Sequence, residues 1–399
     1  MSEAVIVDAV RTPIGKYMGS LKDTRADDLA AHVIQEILKR NPINHGLIED
    51  VLFGCTNQAG EDNRNVARMG LLLAGLPEAV PGVTVNRLCA SGLEAVNQAT
   101  AAIKSGIGDI FIAGGTENMT RAPYVMMKPQ LGGPRGNQTL HDTTIGWRLV
   151  NPKLAEAYPP ISLGETAELV AEKYQVSREE QDEFACMSQE KADQAIRNGK
   201  FTDEIVPIGV KTGKKEWGTF EQDEHVRANT TQEKLSTLAP AFKEGGTVTA
   251  GNSSGINDGA SALLMMSEET AEQLELKPLA RVVTSAAAGV DPSYMGIGPI
   301  PATQKALKRA GLSIGDIDLV EINEAFASQS IASVRELGID PNKVNVNGGA
   351  IALGHPLGCS GARIVTTLVH EMKKTDCRYG LATMCVGVGQ GVATIIEKV

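Results

Sequence analysis

The sequence predicts an α/β protein in which helices pack in layers on β-sheets. Apolar strand-like runs alternate with helical patterns along the chain of 399 residues, and this alternation is typical of layered α/β folds. Glycine is frequent, at 42 residues, whereas aromatic residues make up only 4%. That composition favours close turns and tight packing of helices on sheets over an aromatic-rich β-barrel. Similar segments towards the two ends of the chain indicate an internal duplication.

Length, charge and cysteine content narrow the range of possible protein classes further. The chain is long enough for two or three domains with sizeable cores. Its net charge of −10 and pI of about 5.3 argue against a nucleic-acid or anionic-membrane surface. No apolar run approaches transmembrane length, so we expect no membrane insertion. The six scattered cysteines form no CxxC pair or zinc spacing, which fits free thiols in a reducing cytoplasm and no metal site.

The strands of the two predicted halves have matching patterns. Segment 47–55 reads as a turn, an acidic start and a buried strand, and segment 314–322 repeats that order. Segment 107–115 parallels 379–387 in the same way. We therefore expect two similar halves, with turns that carry a reactive thiol in comparable places of the two.

The first candidate for chemistry is Cys89, in segment 85–93, VNRLCASGL. Alternating apolar residues lead into the cysteine, and a small-residue turn and a helical pattern follow. Backbone N–H groups and the helix dipole at a helix N-terminus favour an anion, so we expect a thiol pKa below about 8.5. A thiolate there is a nucleophile for an acyl group. Taken alone, such a cysteine is more often a small buried hydrophobe.

Residues 121–248 differ in character from the rest. Segment 128–160 is rich in glycine, proline and polar residues, and such a long irregular stretch is usually functional. Two helices are predicted after it, over 163–174 and 178–198, with Ser177 as the N-cap of the second and Glu180 at the capping-box position. Lys211, Lys214, Lys215 and Arg227 are candidates for a local basic patch that binds a polyphosphate ligand, or alternatively a solvated surface.

The second candidate is His355, in segment 347–361, NGGAIALGHPLGCSG. Five glycines surround this histidine, and glycine allows the backbone to approach a ligand closely. A lone histidine is more often structural than catalytic. A histidine in a glycine-rich loop before a helical run (362–372) is nevertheless a better candidate base than the other five histidines, which lie in ordinary polar or helical surroundings.

The third candidate is Cys385, in segment 381–391, LATMCVGVGQG. A short apolar strand ends at this cysteine, and alternating glycines follow. A thiol can act as proton donor and acceptor because its pKa is within reach of neutral pH. Considered alone, the segment could be a strand that ends in a turn.

Together these three segments resemble the thiolase family. The resemblance extends, in family order, over essentially the whole chain. The opening strand and turn (4–15, AVIVDAVRTPIG), the GG-x-E-x-M stretch (114–120, GGTENMT), the coenzyme A loop (249–260, TAGNSSGINDGA) and the NEAF box (323–327, NEAFA) each look like their thiolase counterparts.

This resemblance implies a fold and domain boundaries. The fold would be the thiolase fold, in which two βαβαβαββ halves form five α-β-α-β-α layers and carry an inserted loop domain. The N-terminal half would be residues 1–120, completed by about 249–272, and the C-terminal half residues 273–399. The loop domain, 121–248, would cover the acyl pocket and bind coenzyme A. A homodimer or homotetramer is expected.

The resemblance also implies roles for individual residues. Cys89 would carry the acyl group, His355 would take its proton, and Cys385 would transfer a proton at the α-carbon of acetyl-CoA. Asn323 would hold a water that, with His355, stabilises the enolate, and the backbone N–H groups of Cys89 and Gly387 would form a second oxyanion hole. The residues implied to contact coenzyme A are Leu163, Arg227, Phe242, Ser254, Met295, Ala325 and Phe326. Coenzyme A, acetyl-CoA and 3-oxoacyl-CoA would be substrates, and no other cofactor is expected.

Substrate choice stays open between members of the family. Short-chain biosynthetic thiolases have His-Met-Gly where this chain has Ser162-Leu163-Gly164, a departure that removes a histidine of the pocket. We therefore expect a degradative 3-ketoacyl-CoA thiolase, as in fatty-acid β-oxidation. A 3-oxoadipyl-CoA thiolase of aromatic degradation is an alternative, because segment 142–148, DTTIGWR, resembles those enzymes; a biosynthetic acetoacetyl-CoA thiolase is another. Arg148 could bind a terminal carboxylate or lie on the surface.

Three rival classes have less support from the residues. Ketoacyl synthases and synthases of the hydroxymethylglutaryl-CoA type share the fold and Cys89, but they use other residues in place of the chemistry of Cys385. A non-catalytic thiolase-like carrier would be expected to lose Cys89, His355 or Cys385, and all three are present. A thiol–disulfide redox protein would be expected to have a CxxC pair.

Overall fold

The computed structural model describes residues 2–128, 133 and 136–399. The strands are β1 (Ala4–Arg11), β2 (Gly15–Lys16), β3 (Asp50–Gly54), β4 (Gly82–Val85), β5 (Ile110–Asn118), β6 (Tyr124–Val125), β7 (His141–Asp142), β8 (Ile208–Lys211), β9 (Trp217–Phe220), β10 (Asn257–Ser267), β11 (Ala280–Gly289), β12 (Leu319–Ile322), β13 (Tyr379–Val386) and β14 (Gln390–Lys398). The α-helices are α1 (Ala26–Arg40), α2 (Val66–Leu73), α3 (Ser91–Lys104), α4 (Pro152–Ala157), α5 (Leu163–Lys173), α6 (Arg178–Arg197), α7 (Gln232–Ser236), α8 (Glu268–Gln273), α9 (Pro299–Ala310), α10 (Ala327–Leu337), α11 (Ala350–Leu353) and α12 (Leu357–Lys374).

The strands of the two halves are arranged in the same order across their sheets. In the N-terminal half the order is β4-β3-β5-β10-β1, and in the C-terminal half it is β12-β13-β14-β11. Val344 forms a parallel bridge with Val320 of β12, so it occupies the place that β4 has beside β3. The two sheets join where β1 meets β11, through the pairs Val5↔Arg281 and Ile6↔Ala280. The duplicated βαβαβαββ arrangement is thus confirmed, with its third strand reduced to one bridge in the second half.

Helices and sheets alternate in five layers. Helices α1 and α2 cover the outer face of the N-terminal sheet, and α9 and α10 cover the outer face of the C-terminal sheet. Helices α3 and α12 lie between the two sheets and contact both. Residues 358–372 of α12 are all buried, as expected of a helix with neighbours on every side. Strand β10 is buried along its whole length for the same reason.

The similar segments of the sequence do occupy equivalent places in the two halves. Strands β3 and β12 each follow a short 3₁₀ turn, at 45–47 and 314–316, and β5 and β13 hold the same position in their sheets. The expectation that the reactive thiols lie in comparable turns is wrong. Cys89 precedes α3, whereas Cys385 lies near the end of β13, and the position equivalent to that of Cys89 is the segment before α12, which carries His355.

The inserted region contains the two predicted helices. Helices α5 and α6 have capping boxes, formed by Ser162 with Glu165 and by Ser177 with Glu180. The second capping box was predicted, and the first was not. Part of the irregular stretch 128–160 lies outside the described residues, and the boundaries 121 and 248 of a loop domain remain a prediction.

The close packing of α3 on α12 depends on glycine. A Cβ atom added to Gly361 would lie 2.2 Å from the backbone nitrogen of Leu93, and one added to Gly92 would lie 2.7 Å from the nitrogen of Ala362. Both distances are shorter than real contacts of a Cβ atom. The two helices therefore approach backbone to backbone, because glycine removes the side chain at the crossing.

We predict that Gly361→Ala lowers the melting temperature. In an isolated helix this change would stabilise by roughly 0.5–1 kcal/mol, but here the methyl group overpacks the α3–α12 crossing, at a cost of about 1–3 kcal/mol. Gly209→Ala, where the added Cβ would meet nothing closer than 4.0 Å, is the matched control. Thermal unfolding of both variants checks this; an unchanged or higher melting temperature for Gly361→Ala would contradict it.

Candidate active site

The Cys89 side chain lines a cavity at the carboxyl ends of the parallel strands. The chain turns sharply between β4 and α3, with Leu88 at a φ of 47°, a left-handed conformation that is uncommon for leucine. Cys89 is 7% exposed and faces a cavity of about 340 Å³, which is within the usual size range of small-molecule sites. The cavity is lined mainly by threonine, aliphatic and glycine residues, together with Trp147 and Arg148.

The expected low pKa of Cys89 is not supported by the structure. Burial raises the pKa of this thiol to about 11, although the backbone N–H groups of Gly387 and of Cys89 itself favour the thiolate. The N–H groups at the helix terminus lower the pKa of the thiol, but the loss of solvent around the sulfur raises it by more. Cys89 is therefore a thiol in the unliganded site, and it needs a base to become a nucleophile.

His355 is oriented as such a base. Its Nδ1 lies 2.6 Å from Ser360 Oγ, and that hydroxyl donates to the carbonyl of Pro356. Ser360 must therefore accept from Nδ1–H, which leaves Nε2 unprotonated, 3.4 Å from Asn323 Nδ2. Burial, together with the positive charge of Arg363, lowers the pKa of His355 to about 3. The imidazole is thus neutral at pH 7, with its Nε2 lone pair facing the side-chain amide of Asn323.

Cys385 lies near the end of β13, next to the β13–β14 turn. Val386 pairs with Gln390, and the connecting residues include Val388 at a φ of 63°. Gly387 and Val388 line the cavity beside Cys89. Cys385 is 1% exposed, and burial together with the neighbouring Cys89 raises the pKa of its thiol. Cys89 therefore neighbours both Cys385 and the backbone N–H of Gly387. His355 is linked to this strand end through Asn323, whose backbone N–H donates to the carbonyl of Thr383, two residues before Cys385.

Most of the residues implied to contact coenzyme A form one cluster. Met295, Ala325, Phe326 and Leu163 pack around Cys385. The ring of Phe242 stands edge-on to that of Phe326, with 6.0 Å between the centroids. The backbone N–H of Ser254 donates to the carbonyl of Ala325 at 3.0 Å, which joins the loop of 249–260 to the NEAF box.

The predicted basic patch is not assembled in one place. Arg227 is exposed and lines a separate cavity together with Lys16 and His225. Lys211 lies on the β8–β9 hairpin and lines another cavity, beside Trp217 of the same hairpin and His32 of α1. Arg227 therefore remains a candidate contact for a phosphate, and the lysines of the hairpin do not join it.

Several residues that build the site were not recognised from the sequence as functional. Ser360 sets the tautomer of His355, and Asn257 Oδ1 accepts from the backbone N–H of His355 at 2.9 Å. Glu324 is buried and accepts from Ser188, Asn345 and Ile351, which ties α6 to the glycine-rich segment. A hydroxyl in the first helical turn after a candidate base, and an acid in the NEAF box, were the available signals.

The departure at Ser162 has a different consequence from the one expected. Ser162 is exposed and caps α5, whereas its two neighbours, Ile161 and Leu163, line the cavity. The serine therefore caps the helix and does not line the pocket. Trp147, whose indole N–H donates to the carbonyl of Ile161 at 3.0 Å, forms part of the wall on this side.

The described residues offer neither a cluster of metal ligands nor a helix that could cross a membrane. Within ranges 2–128 and 136–399, no group of three or more His, Cys, Asp or Glu side chains could hold a metal ion. In the same part of the chain, every helix is too short or too polar to span a bilayer.

Comparison with known families agrees with the geometry of this site. Residues 4–269 match the family "Thiolase, N-terminal domain", and residues 276–398 match "Thiolase, C-terminal domain". The chain belongs to the thiolase family. Members of the family are acyltransferases that use CoA thioesters, so the chain is an enzyme of this class.

Individual relatives cover the chain from end to end. The 3-oxoadipyl-CoA/3-oxo-5,6-dehydrosuberyl-CoA thiolase of Escherichia coli (strain K12) is 54% identical over 402 residues, with 100% of both chains covered. A beta-ketoadipyl-CoA thiolase of Pseudomonas aeruginosa is 55% identical over 400 residues, covering 100% of this chain and 99% of its own. An acetyl-CoA acetyltransferase of Syntrophomonas wolfei is 50% identical over 401 residues, covering 99% of each. The crystal structure of human mitochondrial 3-ketoacyl-CoA thiolase superposes with a TM-score of 0.94 at 42% identity, covering 100% of this chain and 99% of its own.

We predict that alkylation of Cys89 by iodoacetamide accelerates steadily from pH 7 to pH 10. With a pKa of about 11, the thiolate fraction rises about tenfold per pH unit throughout that range. Peptide mapping by mass spectrometry gives the rate at each cysteine, with Cys89→Ala as the control for assignment. A rate that levels off below pH 8.5 would instead support the low pKa that the helix N-terminus predicts.

Proposed function

We propose that this thiolase cleaves 3-oxoadipyl-CoA with coenzyme A, giving succinyl-CoA and acetyl-CoA. One observation carries the proposal: Arg148 lines the cavity beside Cys89, where the acyl group would be held. The names of the relatives from Escherichia coli and Pseudomonas aeruginosa support it. They favour this alternative over the general fatty-acid thiolase that the sequence motifs put first.

The cavity offers a carboxylate one cationic partner. Arg148 is half-buried, and among the described residues it is the only Lys or Arg that lines the cavity, which also lacks Asp and Glu. A guanidinium can bind a carboxylate through two parallel hydrogen bonds. The loop of Arg148 is anchored at Trp147 by Ile161 and at Thr143 by Asn57, so the guanidinium is carried by a fixed wall.

The proposed reaction begins with a proton transfer. His355 Nε2 takes the proton of Cys89, and the thiolate attacks the 3-oxo carbon of the substrate. The bond between carbons 2 and 3 breaks, which leaves a succinyl group on Cys89 and the enolate of acetyl-CoA. Cys385 gives its proton to carbon 2 of that enolate. The thiol of coenzyme A then gives its proton to the Cys385 thiolate and attacks the succinyl thioester. Cys89 leaves as a thiolate and takes back the proton held by His355, which restores the starting state.

Charge on oxygen must be stabilised twice in this sequence. The enolate oxygen would accept from His355 Nε2–H, now protonated, and from a water held by Asn323. The side-chain Oδ1 of Asn323 is buried and has no hydrogen-bond partner among the described residues, so it can accept from such a water. The backbone N–H groups of Cys89 and Gly387 would stabilise the tetrahedral oxyanion.

Coenzyme A and its thioesters act as substrates in this proposal, and no further cofactor takes part. Arg227 would contact the phosphates, while Leu163, Phe242, Ser254, Met295, Ala325 and Phe326 would contact the rest of the coenzyme. Assembly into a homodimer or homotetramer is part of the same proposal. Transfer of the acyl group without hydrolysis would depend on the exclusion of water by Phe242 and Leu163.

Cys89→Ala is expected to abolish formation of the acyl-enzyme. After mixing with acetyl-CoA, intact-mass and peptide analysis should show an acetyl group on Cys89 of the wild type and none on the variant. The geometry supports this because no other nucleophile among the described residues stands at the turn before α3. An acetyl group on Cys385 alone would reverse the two roles.

Cys385→Ser is expected to lose most turnover while Cys89 is still acetylated by acetyl-CoA. A hydroxyl is a far weaker acid than a thiol, so exchange of the α-protons of acetyl-CoA with deuterated water should collapse. Mass spectrometry of acetyl-CoA recovered from deuterated buffer measures the exchange. Exchange at the wild-type rate would rule out Cys385 as the proton-transfer group.

Arg148→Met is expected to lower kcat/KM for 3-oxoadipyl-CoA about ten- to a hundred-fold, because a lost charge-assisted pair costs about 1.5–3 kcal/mol. Acetoacetyl-CoA, which has no terminal carboxylate, should be little affected. Lys153→Met, on the exposed face of α4, is the matched control for loss of a positive charge near the loop. Equal losses on both substrates would make Arg148 structural, and a wild type inactive on 3-oxoadipyl-CoA would remove the proposed function.

A further inference from the structure

A buried carboxylate lies directly behind the active-site cavity. Glu117, near the end of β5, is 3% exposed. Five donors converge on its two oxygens. The backbone N–H and the hydroxyl of Thr56 and the backbone N–H groups of Asn57 and Gly358 donate at 2.7–3.2 Å, and the thiol of Cys55 donates at 3.7 Å. The mechanism proposed above does not use this group.

The surroundings of Glu117 are suited to an acceptor on every side. Three of the five donors are backbone N–H groups, which cannot accept a hydrogen bond, and no ion pair reaches Glu117 within the described part of the chain. Burial raises the pKa of this carboxyl, whereas its hydrogen bonds lower it. An amide in its place would turn an N–H₂ group towards at least one of these donors, and that hydrogen bond would be lost.

One set of these hydrogen bonds leads to the wall of the acyl pocket. Thr56 itself lines the cavity. Asn57, held by Glu117, donates from Nδ2 to Thr143 Oγ1 at 2.8 Å, and Thr143 donates in turn to the carbonyl of Pro123. Thr143 begins the loop that ends in Arg148, so the position of the carboxylate-binding wall depends on the segment that Glu117 holds.

The other hydrogen bond leads to the catalytic base. Gly358 lies in the first turn of α12, three residues after His355, and Leu357 beside it lines the cavity. A Cβ atom on Gly358 would lie 2.9 Å from Glu117 Oε2 and 2.7 Å from the Cα of Cys55. The start of α12 is thus pressed against the segment after β3, and Glu117 binds both.

We propose that Glu117 is a positioning residue, which fixes the wall of the acyl pocket relative to the segment that carries His355. The proposal rests on the thiolase reaction given above. The carboxylate of Glu117 holds the segment after β3 and the start of α12 in one geometry, because it accepts hydrogen bonds from both. Displacement of reacting groups by about 1 Å can cost up to a hundred-fold in rate.

The test compares Glu117→Gln with Asp318→Asn. Asp318 is the matched control, because its carboxylate also accepts from two backbone N–H groups, those of Arg378 and Tyr379, but at the opposite end of the sheet. We expect Glu117→Gln to slow single-turnover acetylation of Cys89 by acetyl-CoA about tenfold or more, and to raise KM for 3-oxoadipyl-CoA more than for acetoacetyl-CoA. Asp318→Asn should lower the melting temperature at most.

Acetylation of Glu117→Gln at the wild-type rate, or an equal slowing in Asp318→Asn, would overturn the proposal. If Glu117→Gln does not fold, Thr143→Val removes only the hydrogen bonds of the Thr143 hydroxyl and should raise KM for 3-oxoadipyl-CoA selectively. Thr143→Ser keeps the hydroxyl and should have the KM of the wild type. An unchanged KM for 3-oxoadipyl-CoA in Thr143→Val would then contradict the proposed connection between Glu117 and the wall of the acyl pocket. Acetylation is measured without 3-oxoadipyl-CoA, so failure of that substrate in the wild type would not decide the role of Glu117.

Discussion

The close contact between α3 and α12 is the constraint on which the site depends. Cys89 immediately precedes one of these helices and His355 the other, so the distance between nucleophile and base follows from how the two helices cross. Gly92 and Gly361 allow the backbones to meet, and the two sheets hold the pair from both sides. The duplication thus has a chemical consequence in the proposed mechanism: equivalent positions of the two similar halves carry a nucleophile and a base.

Burial sets the protonation states of that site. Removal of water disfavours charge on every group, so it raises the thiol pKa of Cys89 and Cys385 and lowers the imidazole pKa of His355. The unliganded site therefore holds two thiols and a neutral base, and charge develops only when a proton moves. Such a site avoids an exposed reactive thiolate, and it makes the orientation of His355 by Ser360 essential to the proposed chemistry.

Much of the site could be predicted because the reactive residues lie in segments with a strong local pattern. The strand–cysteine–helix order around Cys89, the glycine-rich loop of His355 and the strand end at Cys385 each indicate a turn at the edge of a sheet. The residues that support them gave no comparable signal. Ser360 is an ordinary polar residue in the sequence. Glu117 and Asn257 lie in segments that resemble family motifs, but only their partners, which are distant along the chain, show what they hold in place.

The sequence by itself determined the α/β class, the duplicated halves and the family, and it predicted the three reactive side chains, because these depend on local patterns and on motifs in a fixed order. Tertiary structure decided the protonation state of Cys89, since desolvation depends on every atom packed around the sulfur and a helix terminus supplies only part of that environment. It also decided that His355, and not Cys385, is the counterpart of Cys89 in the second half. The placement of Arg148 in the cavity, and of Ser162 outside it, likewise depends on how an irregular loop folds against distant segments, which local sequence does not encode.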